Sequence, residues 1–164
     1  MFTILTTRRG VTLVELVVTI SILAILASVV MPLTQMTARR ARELELRRNL
    51  RTIRTAIDEF KKRYDKSQDE RKLPVVVNKS GYPSTLQELV DGYDFGELTP
   101  PKRKFLRRIP PDPFNPPQGK DEPKWGLRSY SDKPDSSGWG GEDVYDVYSL
   151  SEGTAIDGTK YKEW

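Results

Sequence analysis

An acidic residue lies inside a long apolar stretch near the start of the chain. Residues 11–31 hold twenty-one positions with a single formal charge, Glu15. As a helix, this stretch would be about 31 Å long, close to the thickness of the hydrocarbon core of a bilayer. A carboxylate in such a segment costs roughly 2.5 to 3.5 kcal/mol near the bilayer centre and less towards the ends. The position of Glu15 therefore requires an explanation.

Two interpretations of Glu15 remain open from the residues alone. In the first, the pattern Thr12-x-x-Glu15 is a capping box that satisfies amide groups at the start of the helix. In the second, the short polar leader is removed after Gly10, which creates a new α-amine on Val11. Glu15 then forms an ion pair with the amine of a neighbouring subunit inside a dry helical bundle.

The same residues resemble a known processing site. A basic leader, then Gly10, the run Thr-Leu-Val-Glu at residues 12–15 and a long apolar helix are similar to the start of type IV pilins and of the pseudopilins of type II secretion. The resemblance implies cleavage after Gly10 by a prepilin peptidase, N-methylation of Val11 and assembly through Glu15. Family members usually have Phe at the first mature position, where this chain has Val11.

Composition argues against enzymatic and nucleic-acid functions. The chain has 27 Lys and Arg against 23 Asp and Glu, and removing Arg8 and Arg9 with the leader leaves 25 against 23. The mature chain is therefore nearly neutral, and we expect no general affinity for nucleic acid. The sequence has no cysteine and no histidine, so it has no thiolate nucleophile, no disulfide and none of the usual zinc ligands. We expect that the protein is not an enzyme.

Other targeting signals fit the first 40 residues less well. A secretory signal has a shorter apolar core followed by an Ala-x-Ala-like site, whereas here the apolar run is longer and contains only Ala24-Ile25-Leu26-Ala27. A count of Lys and Arg would place the C-terminal side in the cytoplasm, because five arginines follow the apolar run. Pilin-like leaders are cut on the cytoplasmic face while the rest is exported, and this resemblance implies the opposite orientation. The five arginines that follow the apolar run are Arg39, Arg40, Arg42, Arg47 and Arg48.

The resemblance implies an α+β, pilin-like fold in which a long N-terminal helix packs against a small antiparallel β-sheet head. We divide the chain into a leader over residues 1–10, a transmembrane and assembly helix over 11–32, an amphipathic helical spine over 33–65 and a periplasmic head over 66–164. Pro32 removes a helical hydrogen bond, so we expect a kink or local melting there, and the family usually has a proline at this point. The spine has an apolar stripe at helical spacing, formed by Leu46, Leu50, Ile53, Ile57, Phe60 and Tyr64.

The head shows short elements separated by proline-rich sequence. Residues 66–80 are expected to form a loop with one short strand at Val75–Val77. A helix of about two turns is expected near residues 86–90, with a capping box from Thr85 and Glu88 and an end at Gly92. Nine of the twelve prolines lie between residues 100 and 134, which excludes regular helix or central strand from most of that stretch.

Two further strands close the predicted head. Residues 125–131 and 143–150 are rich in aromatic and β-branched side chains, and the segment between them has turn residues. We expect an antiparallel pair across the apolar stripe. Trp139 and Trp164 are expected to be packing residues.

A basic cluster within the proline-rich stretch has more than one interpretation. It is either a solvated face or a contact with an acidic surface of the next subunit, and DNA binding has little support. Its members are Lys102, Arg103, Lys104, Arg107 and Arg108, interleaved with Phe105 and Leu106.

Several parts of the head resemble the G-type major pseudopilin of type II secretion. Residues 81–83 (Gly-Tyr-Pro) and 109–114 (Ile-Pro-Pro-Asp-Pro-Phe) are similar to segments of that family. The loop after the last strand resembles the one in which these proteins hold a calcium ion. The resemblance implies ligands from the Leu150 carbonyl and from Glu152 and Asp157, and hard cations prefer such oxygen ligands.

These resemblances imply a structural subunit of a periplasmic pseudopilus. Its expected partners are copies of itself, minor pseudopilins, the prepilin peptidase and the inner-membrane assembly platform. The subunit is expected in the bacterial inner membrane, as a single-pass protein with its head in the periplasm. Two alternatives stay open: a subunit of a surface type IV pilus, and a membrane-anchored periplasmic domain that does not polymerise.

Overall fold

The computed structural model describes residues 10–72, 80–96, 102–119 and 121–164, with the backbone alone for residues 29–33. Helix α1 spans Leu13–Asp69 and helix α2 spans Leu86–Asp91. Two short strands follow, β1 over Gly126–Arg128 and β2 over Asp146–Tyr148, and a 3₁₀ turn covers Tyr161–Glu163. A long N-terminal helix with a small antiparallel sheet confirms the expected α+β, pilin-like fold.

Helix α1 contributes to two units, one of residues up to Arg40 and the other of Ala41–Trp164. The backbone stays helical at Pro32, so the local melting considered there is absent. The helix also ends at Asp69, beyond the end expected near residue 65. The sequence predicts a membrane-spanning helix over residues 11–32; within the part of the chain that the structure describes, no helix is both long and apolar enough to cross a membrane.

The apolar stripe of α1 forms one wall of the core of the second unit, as its spacing predicts. All six stripe residues are buried, and Phe60 lies edge-on to Tyr93 and Phe95 at ring-centroid distances of 5.2 and 5.3 Å. Burying such side chains stabilises the head by about 1.5 to 3 kcal/mol each. The residues that meet the stripe from the rest of the head are Leu86, Leu89, Phe95, Leu106, Trp125, Val144, Val147, Ala155 and Tyr161.

The predicted capping box of helix α2 does not form. Thr85 makes no side-chain cap, and the Glu88 carboxylate instead accepts a hydrogen bond from the backbone N–H of Ser84 at 2.9 Å. The helix ends as expected at Gly92, whose positive φ of 91° suits glycine and whose N–H donates to the Glu88 carbonyl.

The two strands pair antiparallel but are shorter than predicted. The register places Gly126 opposite Tyr148 and Arg128 opposite Asp146. Strand β1 ends at Arg128 because side chains then take the backbone donors: Asp132 accepts from the Ser129 N–H at 2.7 Å. Tyr130 donates in the same way to Asp143 at 2.8 Å. The strand predicted at residues 75–77 lies outside the described residues.

Candidate processing and assembly site

The first turn of α1 contains half of a capping box. The Thr12 hydroxyl oxygen accepts a hydrogen bond from the Glu15 N–H at 3.2 Å, and the Thr12 carbonyl accepts from Leu16. The reciprocal bond is missing, because the Glu15 carboxylate has no hydrogen bond or ion pair to any described residue. Capping therefore explains the position of Thr12 and leaves the charge of Glu15 without a partner among the described residues.

The hydroxyl groups of Thr19, Ser21 and Ser28 in the apolar segment donate hydrogen bonds to backbone carbonyls of the same helix. Thr19 donates to the Leu16 carbonyl at 2.8 Å, and Ser21 donates to the Val17 carbonyl at 2.8 Å. Ser28 donates in the same way to Ile25. Hydroxyls that bond back to the preceding turn can enter an apolar environment at little cost. Glu15 differs from them, since no residue that the structure describes supplies a partner for its charge.

The apolar side chains around Glu15 are exposed on all sides of the helix. The large hydrophobic residues between Val11 and Leu26 have exposed fractions from 51 to 78 %. A helix that is apolar all round is normally covered by lipid or by other helices. This segment therefore has the character of an assembly surface.

Gly10 is exposed and lies three residues before the start of α1. A Cβ atom at this position would have no atom within 4 Å, and its φ lies outside the positive range. The fold of the chain therefore does not demand a glycine at residue 10. A requirement for glycine there would come from an external agent such as a peptidase.

The C-terminal loop places the predicted calcium ligands among cations. Glu152 has an 87 % exposed side chain and lies 3.7 Å from the Lys162 ammonium. Asp157 accepts from the Arg47 guanidinium at 3.0 Å through one oxygen, and from the Thr159 N–H and hydroxyl through the other. Hydrogen bonds from Thr159, with the charge of Arg47 a smaller cause, lower the pKa of Asp157.

Calcium is not needed to explain this loop. The described residues contain no group of three or more acidic side chains placed to hold a metal ion. Both carboxylates have cationic partners, so an ion would have to displace Lys162 and Arg47. Calcium binding at Leu150, Glu152 and Asp157 stays a prediction, and nothing that follows depends on it.

Two charged residues of helix α1, Glu43 and Arg47, bind the C-terminal loop. The Glu43 carboxylate accepts hydrogen bonds from the Ile156 N–H and from the Tyr161 hydroxyl, both at 2.9 Å. The Arg47 guanidinium also lies over the Trp164 ring, 4.1 Å from its centroid. Charge-assisted bonds of this kind are stronger than neutral ones. Sequence reasoning missed both α1 residues, because partners more than a hundred positions away leave no local signal.

A charged cluster at the centre of the head was also missed. Asp146 accepts from Arg54 at 2.7 Å and from Arg128 at 3.1 Å. Arg54 donates further to the carbonyls of Val147 and Trp164. The Asp146 carboxylate, in β2, therefore links α1 with both strands. In the sequence, the only hint of this cluster is that a predicted strand contains an arginine.

The aspartate of the Ile-Pro-Pro-Asp-Pro-Phe segment has a structural role. Asp112 is completely buried, and its carboxylate accepts from the Ser149 hydroxyl at 2.6 Å and from the Phe114 N–H at 2.8 Å. A buried carboxylate needs such donors. Asp112 thereby fixes the proline-rich stretch to the residue that follows β2.

The two tryptophans behave differently from each other. Trp164 packs edge-on against Tyr161 at 5.3 Å, as expected of a packing residue. Trp139 is 43 % exposed and is held mainly by its indole N–H, which donates to the Asp143 carbonyl at 2.7 Å. The expectation of packing is therefore wrong for much of the Trp139 ring.

The N-terminal segment matches a known family model. Residues 5–31 match the prokaryotic N-terminal methylation motif. The motif indicates a type IV pilin-like protein of a pilus or pseudopilus, processed by prepilin peptidase and assembled into a homopolymer that is membrane-anchored or a surface filament. No curated protein and no solved structure matches the chain significantly.

Proposed function

We propose that this chain is a structural subunit of the periplasmic pseudopilus of a type II secretion system. Prepilin peptidase cuts it after Gly10, and the mature subunit waits in the inner membrane, anchored by residues 11–32. An assembly platform then moves the subunits into a helical filament that drives protein export. In this proposal the filament consists of copies of this chain, with minor pseudopilins as further partners.

The carboxylate of Glu15, which has no partner within the described part of the chain, is the observation that supports polymerisation best. It lies on a helix whose apolar residues are exposed and whose hydroxyl groups are satisfied. The α-amine of Val11, created by cleavage, would supply the missing positive charge from a neighbouring subunit. In lipid, apolar helices gain little from burying one another, so packing and this charge pair decide how subunits are placed.

The choice of a secretion pseudopilus over a surface pilus depends on the head. Many type IV pilins close the C-terminal loop with a disulfide, whereas this chain has no cysteine. Its loop is held by Glu43 and Arg47 of α1 instead. The buried Asp112 gives a structural reason for the segment that resembles the G-type pseudopilin.

The first experiment is the intact mass of the protein from membranes of its own host, with its N-terminus mapped. We expect loss of residues 1–10 and one added methyl group on Val11. A protein that retains Met1, or one cut near Ala27, would contradict the proposal. Retention of Met1 would favour an anchored domain that does not polymerise, and a cut near Ala27 would favour a secreted domain.

The second experiment tests Glu15 in the presence of the assembly machinery. Glu15→Ala and Glu15→Gln should be inserted and cleaved like the wild type but should form few filaments, because neither can pair with an amine. Glu15→Asp keeps the charge and should retain part of the assembly. Normal filaments from Glu15→Gln would refute the role of the charge. Filament length and position then separate a short periplasmic pseudopilus from a surface pilus.

A further inference from the structure

Three tyrosine rings form an exposed aromatic surface on the head, named here the tyrosine platform: Tyr82, Tyr130 and Tyr145. Tyr82 stacks on Tyr130 with ring centroids 5.8 Å apart, and Tyr145 stands edge-on to both at 5.1 and 5.5 Å. Tyr130 is 63 % exposed and Tyr145 is 45 % exposed. Large aromatic groups left open to water are typical of contact surfaces.

The backbone holds the tyrosine platform in a fixed arrangement. The Tyr145 N–H donates to the Arg128 carbonyl at 2.8 Å, and the Tyr130 N–H donates to Asp143 at 2.8 Å. The neighbouring Val144 N–H donates to the Pro83 carbonyl, also at 2.8 Å. A rigid tyrosine surface loses little conformational entropy when it is covered, so it is ready for a partner.

The ring faces of the platform favour a positively charged partner. Lys61 lies over the Tyr82 ring, 5.8 Å from its centroid, and is already paired with Asp65. Burial, the neighbouring Tyr145 and the carboxylate of Asp58 raise the pKa of Tyr82. Asp65, the partner of Lys61, acts on Tyr82 in the same direction. An arginine side chain placed on these ring faces would be attracted by their π electrons.

A positively charged groove, named here the basic groove, lies on another face of the same unit. It has a volume of about 290 Å³ and is lined by Glu59, Lys62, Arg63, Lys66, Arg103 and Phe105. Arg103 is held by its backbone, which pairs with Tyr93 in both directions at 3.0 and 3.1 Å. Its exposed side chain makes no hydrogen bond or ion pair to any residue whose structure is described, and the same is true of Lys62.

The platform and the groove lie on opposite flanks of α1. Lys61 borders the platform and Arg63 borders the groove. Successive residues of a helix are rotated by about 100°, so these two side chains leave the helix about 200° apart. Two complementary surfaces on opposite sides of a subunit make a head-to-tail contact, and such contacts repeat into a filament when they do not close.

We propose that the tyrosine platform of one subunit binds the basic groove of a second copy of this chain, with Arg103 lying on the rings of Tyr130 and Tyr145. This inference rests on the proposed filament. It assigns the heads a contact of their own, in addition to the assembly of the N-terminal helices through Glu15. The basic cluster seen in the sequence then contacts an aromatic surface.

Cysteine cross-linking in assembled filaments tests the contact directly. Because the chain has no cysteine, the double variant Tyr130→Cys with Arg103→Cys has no background of native thiols. On mild oxidation we expect a ladder of covalent oligomers from full-length protein assembled with its machinery. The matched control is Tyr130→Cys with Gln118→Cys, since Gln118 is also exposed but lies outside both surfaces, and it should give no ladder.

The outcomes separate this inference from the proposed function. Filaments without a ladder would overturn the head contact and leave the polymer intact, whereas a wild type that forms no filament would overturn both. Disulfide-linked dimers from either single variant, which would join identical surfaces, or cross-linking of Arg103→Cys to a different protein would also overturn it.

A charge exchange provides a second measurement that needs no cross-link. Arg103→Glu should lower the filament yield about tenfold, and Arg103→Lys should restore most of it. Arg103 is exposed, so thermal unfolding of both variants should match the wild type. An unchanged filament yield for Arg103→Glu would contradict the proposal.

Discussion

Arg47 of α1 donates a hydrogen bond to Asp157 at 3.0 Å and joins the C-terminal loop to the helix. Two hydrogen bonds from Thr159 and the charge of Arg47 lower the pKa of this carboxyl. Because the folded pKa lies below the unfolded one, the contribution to stability is complete above about pH 4 and is lost as the pH falls through the folded value.

This pH dependence is the first prediction. The amide proton of Thr159 should shift as Asp157 is protonated, with a midpoint below that of a free aspartate, because its N–H donates to Asp157 at 3.0 Å. An NMR titration in detergent micelles from about pH 6 to about pH 2 measures it. Asp157→Asn should show no transition, and Arg47→Ala should move the midpoint upwards. A midpoint equal to that of a free aspartate would contradict the pairing.

Calcium binding is tested by the same residue. If the loop binds calcium as the sequence predicts, then adding calcium raises the unfolding temperature of the wild type and leaves that of Asp157→Asn unchanged. Arg47→Ala removes a competing cation and should therefore respond at a lower calcium concentration. An equal response from the wild type and Asp157→Asn would rule out Asp157 as a ligand.

Gly126 has no room for a side chain. An added Cβ would lie 2.3 to 2.6 Å from ring atoms of Tyr148, the residue paired with it across the sheet. We expect Gly126→Ala to lower the free energy of unfolding by about 1 to 3 kcal/mol, because either the ring or the strand must move. Chemical denaturation of the detergent-solubilised protein measures this cost.

Gly138→Ala is the matched control for Gly126→Ala. The nearest atom to an added Cβ at Gly138 is the Ser136 hydroxyl oxygen at 4.0 Å. The free energy of unfolding should change by less than about 0.5 kcal/mol. Equal costs at the two positions would show that contact with the Tyr148 ring is not the cause.

Gly10 should matter for cleavage and not for folding. Gly10→Val should leave the unfolding temperature unchanged, since nothing lies within 4 Å of an added Cβ. We expect cleavage to slow by about tenfold or more, equivalent to about 1.4 kcal/mol in the barrier, because a larger residue has to enter the peptidase at the scissile bond. Mass spectrometry of membrane extracts gives the ratio of uncut to cut protein. Normal cleavage of the variant would place recognition elsewhere in the leader.

Much of the fold could be predicted from the sequence, because helices leave periodic signals. The stripe from Leu46 to Tyr64 is buried as its spacing predicts, and α2 ends at Gly92. Strand ends were predicted less well. The residues after Arg128 favour a strand by composition, but Asp132 and Asp143 take their backbone donors, and that competition depends on where the loop between the strands returns.

The N-terminal chemistry was determined by local sequence alone. Gly10, Val11 and Glu15 lie within six positions of one another, so one short sequence motif contains all three. The contacts of the head were decided by tertiary structure, because Glu43 meets Tyr161 and Arg54 meets Asp146 only after α1 packs against the rest of the head. The tyrosine platform arises in the same way from three distant segments. A charged or aromatic side chain in the head finds its partner only when the chain packs. Distance along the sequence does not reveal which residues packing will bring into contact.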